Sequence, residues 1–202
     1  FCSVCRPTFD KDVGQEFEEL SHSDNPSLNR SQLCAIHGWQ ERTTSVRVID
    51  ATIFSVELDL LELRLRELWD VVDLFLIIEA DRTFSGEPKP LILKQNLSRF
   101  AWASKKLRLE FVTHLQPLKP GESPFKNENQ MRNSMTRMVR RFAQSGDLII
   151  MADVDEIPRS STIGLFRKCT SFPSPIHFRL RTYFYSFEFF FSYNDSWRAK
   201  IQ

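Results

Sequence analysis

Asp153 and Asp155, separated by one residue in Asp153-Val154-Asp155-Glu156, have the spacing of a divalent-cation site. Carboxylates at i and i+2 project together from an extended strand end. Hard cations such as Mg2+ or Mn2+ take oxygen ligands of this kind and leave positions for substrate phosphates. A cation held there neutralises the charge that develops on a diphosphate leaving group. A solvated turn rich in acids has the same letters, so the meaning of the pattern depends on what precedes it. Here that is Asp147-Leu148-Ile149-Ile150-Met151-Ala152, an apolar run with the character of a buried strand, and Pro158 closes the turn behind it. The acids are therefore expected at the C-terminal edge of a sheet, where open α/β sheets bind their ligands.

The surrounding sequence supplies the elements of such a sheet. From Val46 onward short apolar runs alternate with amphipathic stretches, the pattern of strands and crossover helices. Val46-Arg47-Val48-Ile49 reads as a strand, and after Asp50 a short loop leads to Ser55, the expected N-cap of a helix. Leu58, Leu61, Leu65 and Leu68 recur along that helix to Trp69, with Glu57 and Asp59 well placed for its dipole. Leu74 to Ile78 is apolar throughout, which implies a strand buried on both faces, ending at Glu79. Arg82 to Pro90 is a loop. Leu107 to Val112 reads as a third strand, followed by a loop through about Phe125 that is long for a connection. A helix from about Asn127 carries Met131, Met135, Met138, Val139 and Phe142 on one stripe and Arg132, Arg137, Arg140 and Arg141 elsewhere, and Gly146 ends it. A further helix is expected from Ser160 to Lys168, then aromatic-rich strands bordering a groove between Ile176 and Tyr193. Glu79 and the acidic turn face one cleft if their strands are parallel neighbours.

With 202 residues, 42% hydrophobic and 26% charged, the chain can bury one sizeable core. Its 27 basic and 26 acidic side chains leave a formal charge of +1, so no global field recruits nucleic acid or an anionic membrane. No apolar run is long enough to span a bilayer, and any targeting or anchoring segment is expected upstream of Phe1. Residues 1–44 are polar and without sustained period, and read as an irregular N-terminal extension before a domain over 45–202. Cys2 and Cys5 form a C-x-x-C that suits a redox motif, half a zinc site or part of a disulfide framework, although no second ligand pair occurs at zinc spacing. Cys34 and Cys169 are the other two cysteines. Sequons at Asn29, Asn96 and Asn194 fit a secretory protein. His22, His37, His114 and His177 are scattered and receive no role.

Several separated motifs, in order, carry a family resemblance. Glu57-Leu58-Asp59-Leu60-Leu61-Glu62-Leu63-Arg64-Leu65, Val72-Asp73, Ile78-Glu79, Arg82-Thr83-Phe84-Ser85-Gly86, Lys89-Pro90-Leu91, Arg132-Asn133 and Asp153-Val154-Asp155-Glu156-Ile157-Pro158 resemble the family 17 glycosyltransferases. The resemblance covers roughly Val46 to Trp197. It implies an α/β fold of the GT-A type, a Rossmann-like mixed sheet flanked by helices. It further implies a UDP-N-acetylglucosamine donor, Mn2+ or Mg2+, inversion at the anomeric carbon to give a β-1,4 linkage, and a mannose-containing N-glycan acceptor on a glycoprotein. By the same resemblance Asp155 is the main metal ligand, Asp153 contacts metal or ribose, Glu79 binds the nucleoside, and Arg82 and Arg132 complete the donor site. Arg132 is the candidate for the diphosphate. The implied location is the Golgi or the secretory-pathway lumen. Inverting transfer also needs a carboxylate general base, for which Glu156, Glu188 and Asp195 are candidates. The family's domain is expected to continue beyond Gln202, and that continuation to carry the base and part of the acceptor site.

Bland readings stand beside these roles: Glu79 can cap a strand or pair with Arg82, Arg132 can be a solvated helix charge, and Arg64 and Arg66 read as surface or structural. Two other functions have the same letters. One is a metal-dependent phosphatase of the haloacid dehalogenase type, whose Asp-x-Asp comes after the first strand of its sheet. The other is a module of the same fold that binds a nucleotide sugar without transferring it.

Overall fold

A computed structural model describes residues 7–8, 29–119, 121–194 and 199–202. Cys2, Cys5, His22, Asp195, Ser196 and Trp197 lie outside the described residues. Strand β1 (Pro7–Thr8) is followed by α1 (Arg30–Ile36) and β2 (Gln40–Glu41). The central run is β3 (Val48–Phe54), α2 (Leu58–Leu68), β4 (Leu74–Ala80), α3 (Ile92–Gln95), a 3-10 helix (Leu97–Ala103), β5 (Leu107–Val112), α4 (Phe125–Phe142) and β6 (Leu148–Asp153). Then come α5 (Ser160–Lys168), β7 (Cys169–Thr170), β8 (Ile176–Phe178), β9 (Leu180–Tyr183), β10 (Phe190–Asn194) and β11 (Lys200–Ile201).

Seven strands form one mixed sheet in the order β1-β8-β11-β6-β3-β4-β5, the Rossmann-like α/β architecture expected from the sequence. The four strands β6, β3, β4 and β5 are parallel, whereas β11 runs antiparallel to both β6 and β8. Parallel crossovers are right-handed, so their direction of travel decides the layer they occupy. From β3 outward to β5, α2 and the α3 to 3-10 segment lie on one face, where Leu61, Leu65, Leu68, Leu93 and Phe100 meet Phe54, Phe75 and Ile77. On the return past β3 to β6, α4 lies on the other face, where Met131, Met135 and Met138 meet Ile49, Leu76 and Ile78. With both faces covered, every residue of β3 and β4 is buried, which explains why the second strand is apolar throughout. Each fully buried leucine of α2 contributes roughly 1.5–3 kcal/mol by leaving water.

The structure lengthens the first strand. It runs through Asp50 and Thr52 to Phe54, where the sequence suggested a loop after Asp50. Both polar residues are fully buried with partners: Asp50 pairs with Arg64, and the Thr52 hydroxyl donates to the Ala152 carbonyl at 2.8 Å. Accordingly α2 starts at Leu58 with Glu57, not Ser55, at the N-cap. The Glu57 carboxylate accepts the Ser55 and Val56 N–H groups at 3.2 and 2.9 Å instead of bonding into the helix. Strand β4 likewise continues one residue past Glu79.

Residues 29–44, expected to be irregular, hold α1 and β2. Asn29 and Gln32 form a reciprocal capping box, and β2 pairs with β7. Leu33, Cys34 and Trp39 join the core on the α2 face, and a disulfide links Cys34 to Cys169 across 135 residues. The Asn-x-x-Gln signature was present in the sequence, but polar neighbours hide the single apolar turn after it.

Replacing both cysteines, Cys34→Ser with Cys169→Ser, should cost about 2–5 kcal/mol of unfolding free energy. Urea denaturation would read this as a lower midpoint, and an unchanged midpoint would show that the packing of Leu33 and Trp39 holds α1 without the cross-link.

Candidate functional site

The chain leaves β3 toward β4 on one side and returns to β6 on the other, so the strand order reverses between β3 and β6. Crossovers diverge at such a point and leave a crevice beyond the strand ends. Ile53 of β3 lies opposite Asp153 of β6, which makes segment 55–57 and turn 153–156 the two lips of that crevice.

A buried guanidinium holds the turn from below. Arg64 has no exposed surface; its Nε and Nη2 donate to the two Asp50 oxygens at 2.8 and 2.7 Å. Its Nη1 donates to the carbonyls of Asp153 and Glu156 at 3.1 and 2.8 Å. Burial works against the charge, but Asp50 first, then Glu156 and Asp155, hold the guanidinium above its ordinary value. Within the turn the Glu156 N–H donates to the Asp153 carbonyl at 3.1 Å, and the Glu156 Oε2 accepts the Asp153 N–H at 3.0 Å. Val154 is buried at the centre, so Asp153 and Asp155 are left on the open side.

Arg132 from α4 stands 3.5 Å from Asp153 and 2.9 Å from Glu128. Burial opposes its charge, while Asp153 and Glu128 raise its pKa above the ordinary value. The carboxyl of Asp155 reaches solvent, yet the loss of part of its water raises its pKa, and the charges of Asp153 and Glu57 add to the rise. Burial also raises Glu156, with Asp153 and Asp155 adding to it. Carboxyls that share a field with too little water form a place where a cation is favoured. Asp153 and Asp155 offer hard oxygen donors there. Among the described residues no group of three or more His, Cys, Asp or Glu side chains is placed to hold one metal ion. That donor set suits an ion that keeps several waters and takes phosphate oxygens, the habit of Mg2+ and, in such sites, Mn2+.

The other expected site residues lie elsewhere. Glu79 is fully buried and accepts from Lys89 Nζ at 3.3 Å and from the Leu93 and Lys94 amides at 3.1 and 3.3 Å, so it caps the start of α3. Arg82 donates to the Gly86 carbonyl at 3.0 Å and closes its own loop. Gly86 has φ +86° and sits so close to Leu118 that a Cβ would stand 2.7 Å from that backbone nitrogen. Glu188 lies in the connection between β9 and β10, which form a separate two-stranded sheet, and its amide donates to Ser186 Oγ at 3.3 Å. Asp195 is outside the described residues. The structure thus gathers Asp153, Asp155, Glu156 and Arg132, and adds Asp50, Glu57 and Arg64. A signal for Arg64 exists in the sequence, because it shares the Leu61, Leu65, Leu68 stripe that faces the sheet.

Two outcomes test this arrangement. Arg64→Ala strands the buried Asp50 carboxylate and should cost about 3–5 kcal/mol in denaturant unfolding. Asp155→Asn should raise the melting temperature at neutral pH, because the folded state holds the Asp155 proton more tightly than the unfolded chain does. Its ionisation therefore opposes folding above the raised pKa, and the advantage of the variant should vanish as pH falls below the ordinary carboxylate range. A gain that persists unchanged in acid would remove the charge explanation.

The geometry agrees with what this chain is similar to. A family model described as glycosyltransferase family 17 matches residues 1–202. The beta-1,4-mannosyl-glycoprotein 4-beta-N-acetylglucosaminyltransferases of Rattus norvegicus, Homo sapiens and Mus musculus are each 30% identical over 146 residues. The match covers 70% of this chain and 27% of each relative, so the chain spans little more than a quarter of their length. No solved structure matches it significantly. A match along the whole chain, with the acidic turn at the switch point of an α/β sheet, places this protein in glycosyltransferase family 17.

Proposed function

We propose that this chain transfers N-acetylglucosamine from UDP-N-acetylglucosamine to a mannose of a glycoprotein N-glycan, with inversion to a β-1,4 linkage. The observation that carries the reading is the Asp153–Asp155 pair at the reversal point of the sheet, beside Arg132 and above Arg64. The names of the relatives support the sugar and the acceptor class. Asp155 is the main ligand and Asp153 the second ligand, or the ribose contact, of Mn2+ or Mg2+, which when bound neutralises charge on the diphosphate. Arg132, with its planar fork, binds the diphosphate oxygens. Glu79, through Lys89, whose Nζ donates to the Ser55 carbonyl at 2.9 Å, steadies the lip that receives the nucleoside.

In the reaction the acceptor hydroxyl attacks the anomeric carbon, the bond to the UDP oxygen breaks, and a carboxylate takes the hydroxyl proton. Of the two candidates among the described residues, Glu156 is at the crevice, and its raised pKa suits a base. A nucleotide-sugar enzyme of this kind works in the Golgi or secretory lumen, and the Cys34–Cys169 disulfide supports an oxidising compartment. Among the described residues no helix is long and apolar enough to cross a membrane. The phosphatase reading is the poorer fit, because the acidic pair comes after the fourth parallel strand in chain order.

Calorimetry of UDP with Mn2+, run beside an assay of UDP release from UDP-N-acetylglucosamine, separates these functions. Binding with release only when a mannosyl acceptor is present is the expected result. Binding without release points to the non-catalytic module, and turnover of a phosphomonoester without UDP-sugar activity would overturn the reading. Asp155→Ala should weaken Mn2+-dependent UDP binding by at least ~10-fold; unchanged affinity refutes the metal assignment.

A further inference from the structure

A cavity of about 620 Å³ lies between α1, the segment after β2, the end of α2 and α5, and none of its walls comes from the acidic turn. We propose that this cavity is a second binding site, for an oxyanion carried on a sugar or free in solution. Its volume is within the range of ligand sites. Four basic and two acidic side chains line it, but not all of them are available to a ligand. Arg167 is engaged with the Val71 carbonyl at 2.9 Å and with Asp73 at 3.1 Å, and Glu67 accepts the Ser160 N–H at 2.8 Å. With Asp73 counted beside Arg167, the charges are Arg30, Arg42, Arg167 and Lys168 against Glu67, Asp70 and Asp73, an excess of one positive charge that favours an anion.

Arg42, one of the lining residues, is the side chain best suited to an oxyanion there. Its Nε is buried and, among the described residues, has no hydrogen-bond partner. Buried donors nearly always have one. The residue is nevertheless fixed in place, because its backbone N–H donates to the Lys168 carbonyl at 2.7 Å. The guanidinium is a planar fork of the kind that binds sulfate, phosphate or carboxylate, and its Nη groups carry that role because Nε is shielded from solvent. Thr43 and Ser161 add hydroxyls that can bond to sugar hydroxyls beside the anion. This site does not depend on the role assigned to the acidic turn.

Titration calorimetry at low salt tests it with three probes: a sulfated disaccharide, the same disaccharide without sulfate, and inorganic phosphate. The sulfated sugar should bind saturably and at least ~10-fold more tightly than its neutral counterpart. Arg42→Gln and, separately, Lys168→Gln should each weaken that binding by ~10-fold or more, while Asp155→Ala leaves it intact. Phosphate binding that the same variants weaken, with no gain from the sugar, upholds the oxyanion site and assigns it to free phosphate. No saturable binding of either anion, or binding that neither variant changes, overturns the proposal.

Discussion

The buried pair of Asp50 and Arg64 is the constraint on which the site depends. A guanidinium with no access to water stays charged and needs a carboxylate beside it to offset the cost of burial, and the two Asp50 oxygens occupy one edge of the fork. The other arm is then free to donate to the Asp153 and Glu156 carbonyls. One side chain therefore ties β3, α2 and the turn after β6 to a single point. Stability alone does not explain such a pair, because well-packed apolar side chains of similar volume often serve as well or better. Apolar side chains could not, however, hold two carbonyls of a turn whose acids must face outward. The planar fork matters for the same reason, since a lysine would supply charge without the four directed N–H bonds seen here.

This pair can reach the turn only because of the strand order. Right-handed crossovers place α2 on one face and α4 on the other, and Asp50, on the α2 side of β3, meets Arg64 beneath the C-terminal edge. Arg132 comes to the same edge from the opposite face. The acids above them, Asp153, Asp155, Glu156 and Glu57, outnumber the cations within reach, and burial first, then the neighbouring acids, raises the pKa of Asp155 and Glu156. A folded chain that tolerates this repulsion has retained negative charge at a point where a bound cation and a diphosphate would balance it.

Much of this was legible in the sequence, and the exceptions have physical causes. Buried strands announce themselves by continuous apolar runs, so Leu74–Ala80 and the strand leading to Asp153 were clear, while the half-exposed edge strand Leu107–Val112 showed as apolar and charged residues in alternation, and the α5 helix was clear as well. Strand β3 was cut short because Asp50 and Thr52 look like turn residues when their partners, Arg64 and the Ala152 carbonyl, are 14 and 100 positions away. Helix α1 was missed because most of its support is non-local, a disulfide and a core contact with the end of α5. The acidic turn was readable as a local pattern at a strand end. Glu79 had the same outward form, an acid near a strand end, but its amide and lysine partners arrive from the loop 10 to 15 residues later.

Those partners give Glu79 a part comparable to that of Asp50. Lys89, held by the buried Glu79 carboxylate, donates to the Ser55 carbonyl on the opposite lip of the crevice. Both lips are therefore fixed in the same way, by a buried carboxylate that holds a cation, which in turn holds backbone carbonyls. Carbonyl tethers set the path of a loop without consuming its side chains. The turn thus stays rigid while Asp153 and Asp155 remain open to a ligand, and Glu57 lends its charge from the facing segment. A site built to hold a polyanion against several acids, as proposed for this crevice, would need geometry set before binding, since any rearrangement on binding would be subtracted from affinity. In this fold that preorganisation comes from residues a ligand never touches, and for that reason the letters of Asp153-Val154-Asp155-Glu156 alone could not reveal it.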